Sequence, residues 1–203
     1  MSSGSTNDNP MKDNSRRRAL MAGAACVASM LAAKSGLAAD ELKPTRPCDD
    51  HDATPRQMEG PFFKPRSPER TSLIESGVQG SRILVTGQVL STRCQPVPGA
   101  LLDFWQCDSK GEYDNRGNTL RGHQFTDAEG RYRLETILPG VYPGRTRHIH
   151  VKVQAPNKPI LTTQLYFPNE PQNANDFLFR PDLLIVIGDA QSAGRFDFVL
   201  KLG

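Results

Sequence analysis

Two tyrosines and one His-x-His triplet are the residues of this chain whose types and spacing best support chemistry. Tyr113, Tyr142, His148 and His150, hereafter the quartet, lie in order between positions 113 and 150. Carboxylates and water suit Mg²⁺ and Ca²⁺, and thiolates suit Zn²⁺, Cu(I) and iron–sulfur clusters. Two phenolates with two imidazoles suit a hard, oxidised metal, and phenolates keep iron in the ferric state. The quartet therefore predicts a non-haem Fe(III) site that activates an organic substrate.

The histidine triplet is the part of the quartet whose geometry can be argued from spacing. His148 and His150 are two positions apart in an apparent strand, so both side chains point to one face and can bind one metal. The same triplet also occurs as a polar surface pair and in cupin-type, copper or zinc sites. Those metal sites use a further His, Met or Glu, which is missing here at suitable spacing. His51 and His123 are expected in polar loops and are given no metal role.

Short runs of strand-forming residues alternate with turn signals from position 83 onward. The runs are 83–90, 99–105, 130–136, 148–153, 161–167 and 196–200. Such spacing predicts an all-β fold, a β-sandwich of mainly antiparallel strands with long loops and little helix. Trp105, Tyr132 and Tyr166 lie inside these runs, and we expect them to pack in the core.

The first 39 residues have the composition of an export signal. The run 16–18 is three arginines, and an apolar, Ala-rich stretch follows at 20–33. This order is typical of a twin-arginine signal peptide, and the stretch is shorter than the roughly 20 residues of a transmembrane helix. We expect residues 1–39 to direct export to the periplasm or beyond, with no membrane span. Residues 40–58 would form an extended arm, and residues 59–203 one domain.

Charge argues against a nucleic-acid partner. The chain carries 25 Lys and Arg against 22 Asp and Glu, and residues 1–39 hold five of the former and two of the latter. The remainder is balanced at 20 of each, so its net charge gives no reason to expect a nucleic-acid partner.

Three cysteines follow the export signal. An oxidising compartment permits one disulfide among Cys48, Cys94 and Cys107, and sequence does not give its connectivity. We take Cys48 with Cys94 as the working pair, because Cys107 follows a strand end and fits buried packing.

Five segments in order resemble the intradiol ring-cleavage dioxygenases. They are 59–63, 98–113, 136–142, 144–150 and 163–167. The first resembles that family's substrate-side amino-terminal segment, and the second resembles the strand and turn that deliver the first tyrosine ligand. The third and fourth resemble the run with the second tyrosine, the active-site arginine and both histidines. The fifth resembles the strand that carries a glutamine near the substrate.

The resemblance implies roles for the quartet, residue by residue. Tyr113 and His148 would be equatorial ligands of Fe(III), and Tyr142 and His150 axial ligands. A water or hydroxide would complete the coordination. A catechol-type substrate would displace Tyr142 and the hydroxide, which accept its two phenolic protons.

Two further residues receive roles from the same resemblance. Arg145, three positions before His148, is favoured over Arg147 as the active-site arginine, which leaves Arg147 as a surface charge. Arg145 would stabilise developing negative charge because its guanidinium cannot deprotonate, and Gln164 would orient the substrate.

The implied activity is that of an enzyme acting on a small molecule. It would insert both atoms of O₂ into a catechol-type ring and open the ring between its two hydroxylated carbons, giving a cis,cis-muconate. The resemblance implies no cofactor besides iron, and it allows a homo-oligomer.

A non-catalytic binding module of the periplasm or cell surface is the alternative function. Segments 87–90, 98–100 and 127–142 are also similar to the prealbumin-like repeats of binding and adhesion proteins. Both functions share a prealbumin-like sandwich, but a binding module has no need of the quartet. The quartet therefore favours the enzyme.

Overall fold

The computed structural model describes residues 53–188 and 191–202. The predicted signal at 1–39, residues 40–52 of the arm, Cys48 and His51 lie outside the described residues. Residues 53–58, the described end of the arm, form neither helix nor strand. No helix in the described part of the chain is long and apolar enough to cross a membrane.

The described residues form strands and two short 3₁₀ turns. The strands are β1 (Arg82–Ser91), β2 (Leu101–Trp105), β3 (Arg121–Phe125), β4 (Arg131–Ile137), β5 (His148–Gln154), β6 (Leu161–Tyr166), β7 (Val186–Ile187), β8 (Ala193–Arg195) and β9 (Phe198–Leu200). The turns are Pro171–Ala174 and Pro181–Leu183, each with proline at the start, where its missing N–H costs no hydrogen bond.

The strands pair into two sheets, which confirms the predicted sandwich. One sheet has the order β4-β1-β8-β7, with β9 also paired to β1, and the other has the order β3-β2-β5-β6. The second sheet is antiparallel throughout, whereas β1 pairs in parallel with β8 and β9. All six predicted runs contain strands. Strands β3, β7 and β8 lie outside those runs. The sequence of β3, RGHQF, is polar and contains glycine, and β7 and β8 are only two and three residues long.

The hydrophobic core is built from alternate residues of the facing strands. Val85 and Leu134 come from the first sheet, and Phe104, Ile149 and Val151 from the second, and each is fully buried. Because side chains alternate along a strand, the residues between them point to the outer face of the second sheet. That outer face carries the site.

One row across the outer face holds residues of three strands. His150 on β5 lies opposite Trp105 on β2 and Gln164 on β6. The segment before β1 covers this face: Gln57 N donates to the Thr162 carbonyl at 2.8 Å, and the Phe63 ring packs on Trp105 with centroids 4.9 Å apart. The site is therefore enclosed between a sheet face and an irregular segment, outside the space between the two sheets.

The cysteines differ in state. Cys94 is disulfide-bonded. Cys107 is a free, buried thiol, as predicted, and its Sγ lies 3.4 Å from the Gly140 carbonyl oxygen. The pairing of Cys94 with Cys48 stays a prediction.

Candidate functional site

The two histidines are fixed by strand β5. His148 and His150 point to the same face, as their spacing predicts, and each is about 1% exposed. Their Nε2 atoms lie 3.2 Å apart. The His148 Nδ1 lies 2.6 Å from the Thr146 carbonyl oxygen, so Nδ1 carries the proton and Nε2 presents a lone pair. The His150 ring stacks on Trp105, with centroids 4.8 Å apart and planes at 5°.

Two loops deliver the tyrosines, and a pair of glycines lets these loops touch. A Cβ on Gly140 would lie 2.3 Å from the Gly111 nitrogen, and a Cβ on Gly111 would lie 2.6 Å from the Val141 carbonyl oxygen. Only residues without a side chain fit at both positions. The contact draws the loop of Tyr113 against that of Tyr142, and their ring centroids are 6.0 Å apart.

A tight turn presents Tyr142 together with Arg145. Arg145 N donates to the Tyr142 carbonyl at 3.1 Å. Pro143 at the second position and Gly144 with φ of 80° at the third match a type II turn. The turn brings the Tyr142 hydroxyl 3.3 Å from the Nε2 of His148. One four-residue turn thus places both a phenol and a cation beside the histidines.

Tyr113 is held at the other side of the site. Its ring stacks on Phe62, with centroids 4.3 Å apart, and lies 6.2 Å from the His150 ring. The following residue, Asp114, accepts hydrogen bonds from the backbone N–H groups of Gly117 and two neighbouring residues and so pins the loop. The buried Tyr113 hydroxyl makes no hydrogen bond to a described residue.

The protonation states of the quartet suit a cation. Burial, and then the charge of Arg145, lowers the pKa of His148 to about 4. Burial is the main cause that holds the pKa of His150 well below its usual range, and electrostatic repulsion from His148 is the second. Both imidazoles are therefore neutral at pH 7 and have lone pairs to donate. Burial raises the pKa of Tyr113 and of Tyr142, so a phenolate here needs a nearby positive charge.

The quartet fits a metal ion on geometric and chemical grounds. Two imidazole Nε2 atoms and the Tyr142 hydroxyl converge, and the Tyr113 hydroxyl is buried without a partner among the described residues. Within residues 53–188 and 191–202 no three His, Cys, Asp or Glu side chains cluster to hold a metal. A metal at this place would therefore depend on both phenols.

A hydrogen-bonded group beside the quartet contains both predicted polar residues. Arg145 donates through Nε to Asp176 at 2.9 Å and through Nη2 to the Gln164 Oε1 at 2.5 Å. The Gln164 Nε2 donates to the Met58 carbonyl at 2.9 Å. The Tyr166 hydroxyl lies 3.0 Å from the same Gln164 Oε1 and 2.8 Å from the Leu178 carbonyl oxygen, so Arg145 and the Met58 carbonyl are the partners that fix the orientation of the amide.

Sequence reasoning missed several of these contacts. Asp176 carries no motif, and the loop that holds it is distant in sequence from Arg145. Tyr166 is in the core as predicted, yet its hydroxyl joins the polar group. Arg147 is not a surface charge: it pairs with Glu170 at 2.7 Å and donates to the Pro139 carbonyl. His123 lies on strand β3 rather than in a loop.

Comparisons of the sequence and of the fold with known proteins find dioxygenases. A family model described as a dioxygenase matches residues 58–201. The solved dioxygenase domain of a dioxygenase–carbohydrate-binding protein fusion from Streptomyces sp. SirexAA-E is 57% identical, with a TM-score of 0.72. That match covers 75% of this chain and 100% of the other.

Two curated proteins illustrate the more distant similarity. The catechol 1,2-dioxygenase of Pseudomonas sp. (strain EST1001) is 33% identical over 159 residues, which are 64% of this chain and 53% of the relative. The protocatechuate 3,4-dioxygenase beta chain of Burkholderia cepacia is 39% identical over 119 residues, 50% of this chain and 51% of the relative. The chain spans about half the length of these curated relatives.

Replacing Asp176 with Asn tests the polar group. Burial raises the pKa of Asp176, but the N–H groups of Thr146 and Leu178 and the Arg145 guanidinium outweigh burial and hold it below its usual value. A lowered pKa stabilises the fold above the unfolded value of about 3.9, and this stabilisation is lost as pH falls through the folded value. We expect Asp176→Asn to lower the free energy of unfolding by about 3 kcal/mol at pH 7, because the buried Arg145 loses its partner.

Urea unfolding of the full chain between pH 3 and 7 measures this. The difference from the unsubstituted chain should begin to shrink below about pH 4, where the Asp176 carboxylate of the unfolded chain takes up its proton while the folded carboxylate stays charged. Asp182→Asn removes an exposed pair with Arg180 and serves as the control, with an effect below about 1 kcal/mol. A difference that stays constant with pH would contradict the assignment.

Proposed function

The chain belongs to the intradiol ring-cleavage dioxygenase family, and we propose that it is a non-haem Fe(III) enzyme that cleaves catechol-type rings. It would insert both atoms of O₂ and open the ring between the two hydroxylated carbons, giving a cis,cis-muconate. The observation that carries the proposal is the convergence of two neutral imidazoles and two phenols at a buried place. A binding module has no use for such a group.

Four side chains would hold the iron. They are the phenols of Tyr113 and Tyr142 and the Nε2 atoms of His148 and His150. When bound there, Fe(III) would supply an electron-withdrawing centre for both oxygens of a catecholate. The protein's part is to keep the donors neutral or deprotonated, to exclude bulk water, and to orient the substrate.

Tyr142 is suited to act as a base. It lies on a turn and is half-buried, whereas the hydroxyl of Tyr113 is fully enclosed. Burial raises the pKa of Tyr142 and the charge of Arg145 lowers it, so its phenolate persists only beside positive charge. A Tyr142 phenolate would accept a proton from a catechol hydroxyl. The Tyr113 phenolate would stay in place.

Arg145 and Gln164 are suited to act on the substrate. The Arg145 side chain is about 13% exposed and is fixed by Asp176, so its charge needs no rearrangement when negative charge develops nearby. Gln164 accepts a hydrogen bond from Arg145 through Oε1 and donates one Nε2 hydrogen to the Met58 carbonyl, so its second amide hydrogen is the one left to contact a substrate. Removing the Arg145 charge would raise the reaction barrier by about 2.7–4 kcal/mol, as for other preorganised donors.

Turnover with labelled oxygen tests the function. The full chain, loaded with ferric iron, is supplied with catechol, protocatechuate, hydroxyquinol and caffeate under ¹⁸O-labelled O₂. We expect at least one of these to yield a ring-opened dicarboxylate with two labelled oxygen atoms, detected by mass spectrometry. Failure to open any of the four rings, or cleavage outside the hydroxylated pair, would refute the proposal.

Ligand substitutions test the assignment of the metal site. His148→Ala should lose iron, because a fixed strand donor is removed, whereas Tyr142→Phe should retain iron and bind substrate more slowly, because a base is lost. Iron content and stopped-flow binding measure these effects. His123→Ala and Tyr132→Phe remove a histidine and a tyrosine outside the quartet, and both should keep their iron. Iron retained in full by His148→Ala would contradict the assignment.

A further inference from the structure

An irregular segment lies directly on the quartet. Residues 58–64, which we call the strap, form neither a helix nor a strand. A Cβ on Gly60 would lie 3.5 Å from Cε1 and 3.9 Å from Nε2 of His150, so the strap backbone passes close beside the edge of the ring that carries the donor atom. Phe62 of the strap stacks on Tyr113. The strap thus forms one wall of the site.

The ends of the strap are secured, but its middle has no backbone ladder. Before it, Gln57 N bonds the Thr162 carbonyl on β6 at 2.8 Å. After it, the Ser67 hydroxyl donates to Asp103 on β2 at 2.7 Å. Between these points the strap is held by side chains of the sheet beneath it. Gln164 donates to the Met58 carbonyl at 2.9 Å, and Arg121 donates to the Phe62 carbonyl at 2.7 Å.

Lys152 makes two of those contacts at once. It lies two positions after His150 on β5, on the same face. Its Nζ is 2.5 Å from the Glu59 carboxylate and 3.5 Å from the centroid of the Phe63 ring. The Lys152 side chain is about 18% exposed, so water screens this charge less than it does at an open surface. The two contacts bracket Gly60 and hold it against His150.

We propose that Lys152 is a positioning residue that latches the strap over the site and thereby sets the affinity for the aromatic substrate. It touches neither the quartet nor the substrate, and it acts through Glu59 and Phe63. The effect on substrate rests on the proposed function, whereas the latch itself does not. Loss of the charge would loosen the part of the strap from Glu59 to Phe63, which the other bonds to the strap hold less closely to β5, while β5 and the quartet keep their places.

The chain carries its own reporter of strap position. Trp105 is the single tryptophan in the sequence, and it is about 1% exposed. Phe63 packs edge-on against its indole, with centroids 4.9 Å apart. Release of the strap would uncover the indole, so acrylamide quenching of fluorescence in the full, metal-free chain measures the latch without iron or turnover.

Lys152→Met is the first variant, because it keeps most of the apolar stem over Phe63 and removes the charge. We expect its Trp105 to be quenched more strongly and its emission to move to longer wavelength. Glu59→Gln, at a carboxylate about 45% exposed, should show part of the same change. Lys152→Arg retains charge and aromatic contact and should restore the original quenching. Arg131→Met removes an exposed ion pair with Glu129 and should change nothing.

Turnover supplies the second readout. With ferric iron bound, Lys152→Met should have a KM about 5- to 30-fold higher, the loss expected for one ion pair and one cation–π contact. Iron content and kcat should stay within about twofold, because the quartet is intact.

The outcomes separate the latch from the proposed function. Quenching that is unchanged in both Lys152→Met and Glu59→Gln would overturn the latch, whatever the turnover. A fall in kcat or iron content with unchanged KM would overturn the effect on substrate affinity. If the unsubstituted chain opens no catechol ring, the proposed function fails, and quenching still decides whether Lys152 latches the strap.

Discussion

Two imidazole nitrogens held 3.2 Å apart in a buried place are the constraint on which the rest of the site depends. The Thr146 carbonyl directs the lone pair of His148 toward His150, and burial opposes protonation of either ring. The Tyr113 hydroxyl is buried without a partner among the described residues, and such an atom costs about 1–3 kcal/mol. A cation bound by the quartet would relieve that cost, so a metal would stabilise the fold as well as serve the reaction.

The four donors are supplied by two kinds of structure, and this division suits their proposed tasks. The histidines lie on a central strand of an antiparallel sheet, which fixes them with little freedom. The tyrosines lie on loops that touch through Gly111 and Gly140, where no side chain fits. Because the turn that presents Tyr142 also presents Arg145, a movement of the base would occur beside a charge anchored by Asp176. The proposed base, Tyr142, and the fixed charge of Arg145 thus stand at the two ends of one four-residue turn.

The sequence was most informative where a short-range pattern specifies structure. The two-residue spacing of His148 and His150 correctly placed both on one face, and the alternating runs correctly predicted the sandwich. Strand β3 escaped prediction because its polar residues become a strand only through pairing with β2. The ion pair of Arg145 with Asp176 joins residues 31 positions apart, and no local pattern signals such a contact. The contacts of Lys152 with Glu59 and Phe63 could not be predicted for the same reason: they join residues far apart in sequence, and the local pattern around Lys152 indicates only an outward-facing strand residue.

The visible absorption spectrum of the full chain after addition of ferric iron tests the central claim most directly. Phenolate ligation of Fe(III) predicts a broad charge-transfer band and a wine-red colour, and the band should shift when catechol is added without O₂. Such a shift would link the tyrosines, the metal and the substrate in one observation. A protein that stays colourless with ferric iron would contradict the account and leave the quartet as packing on a sandwich face.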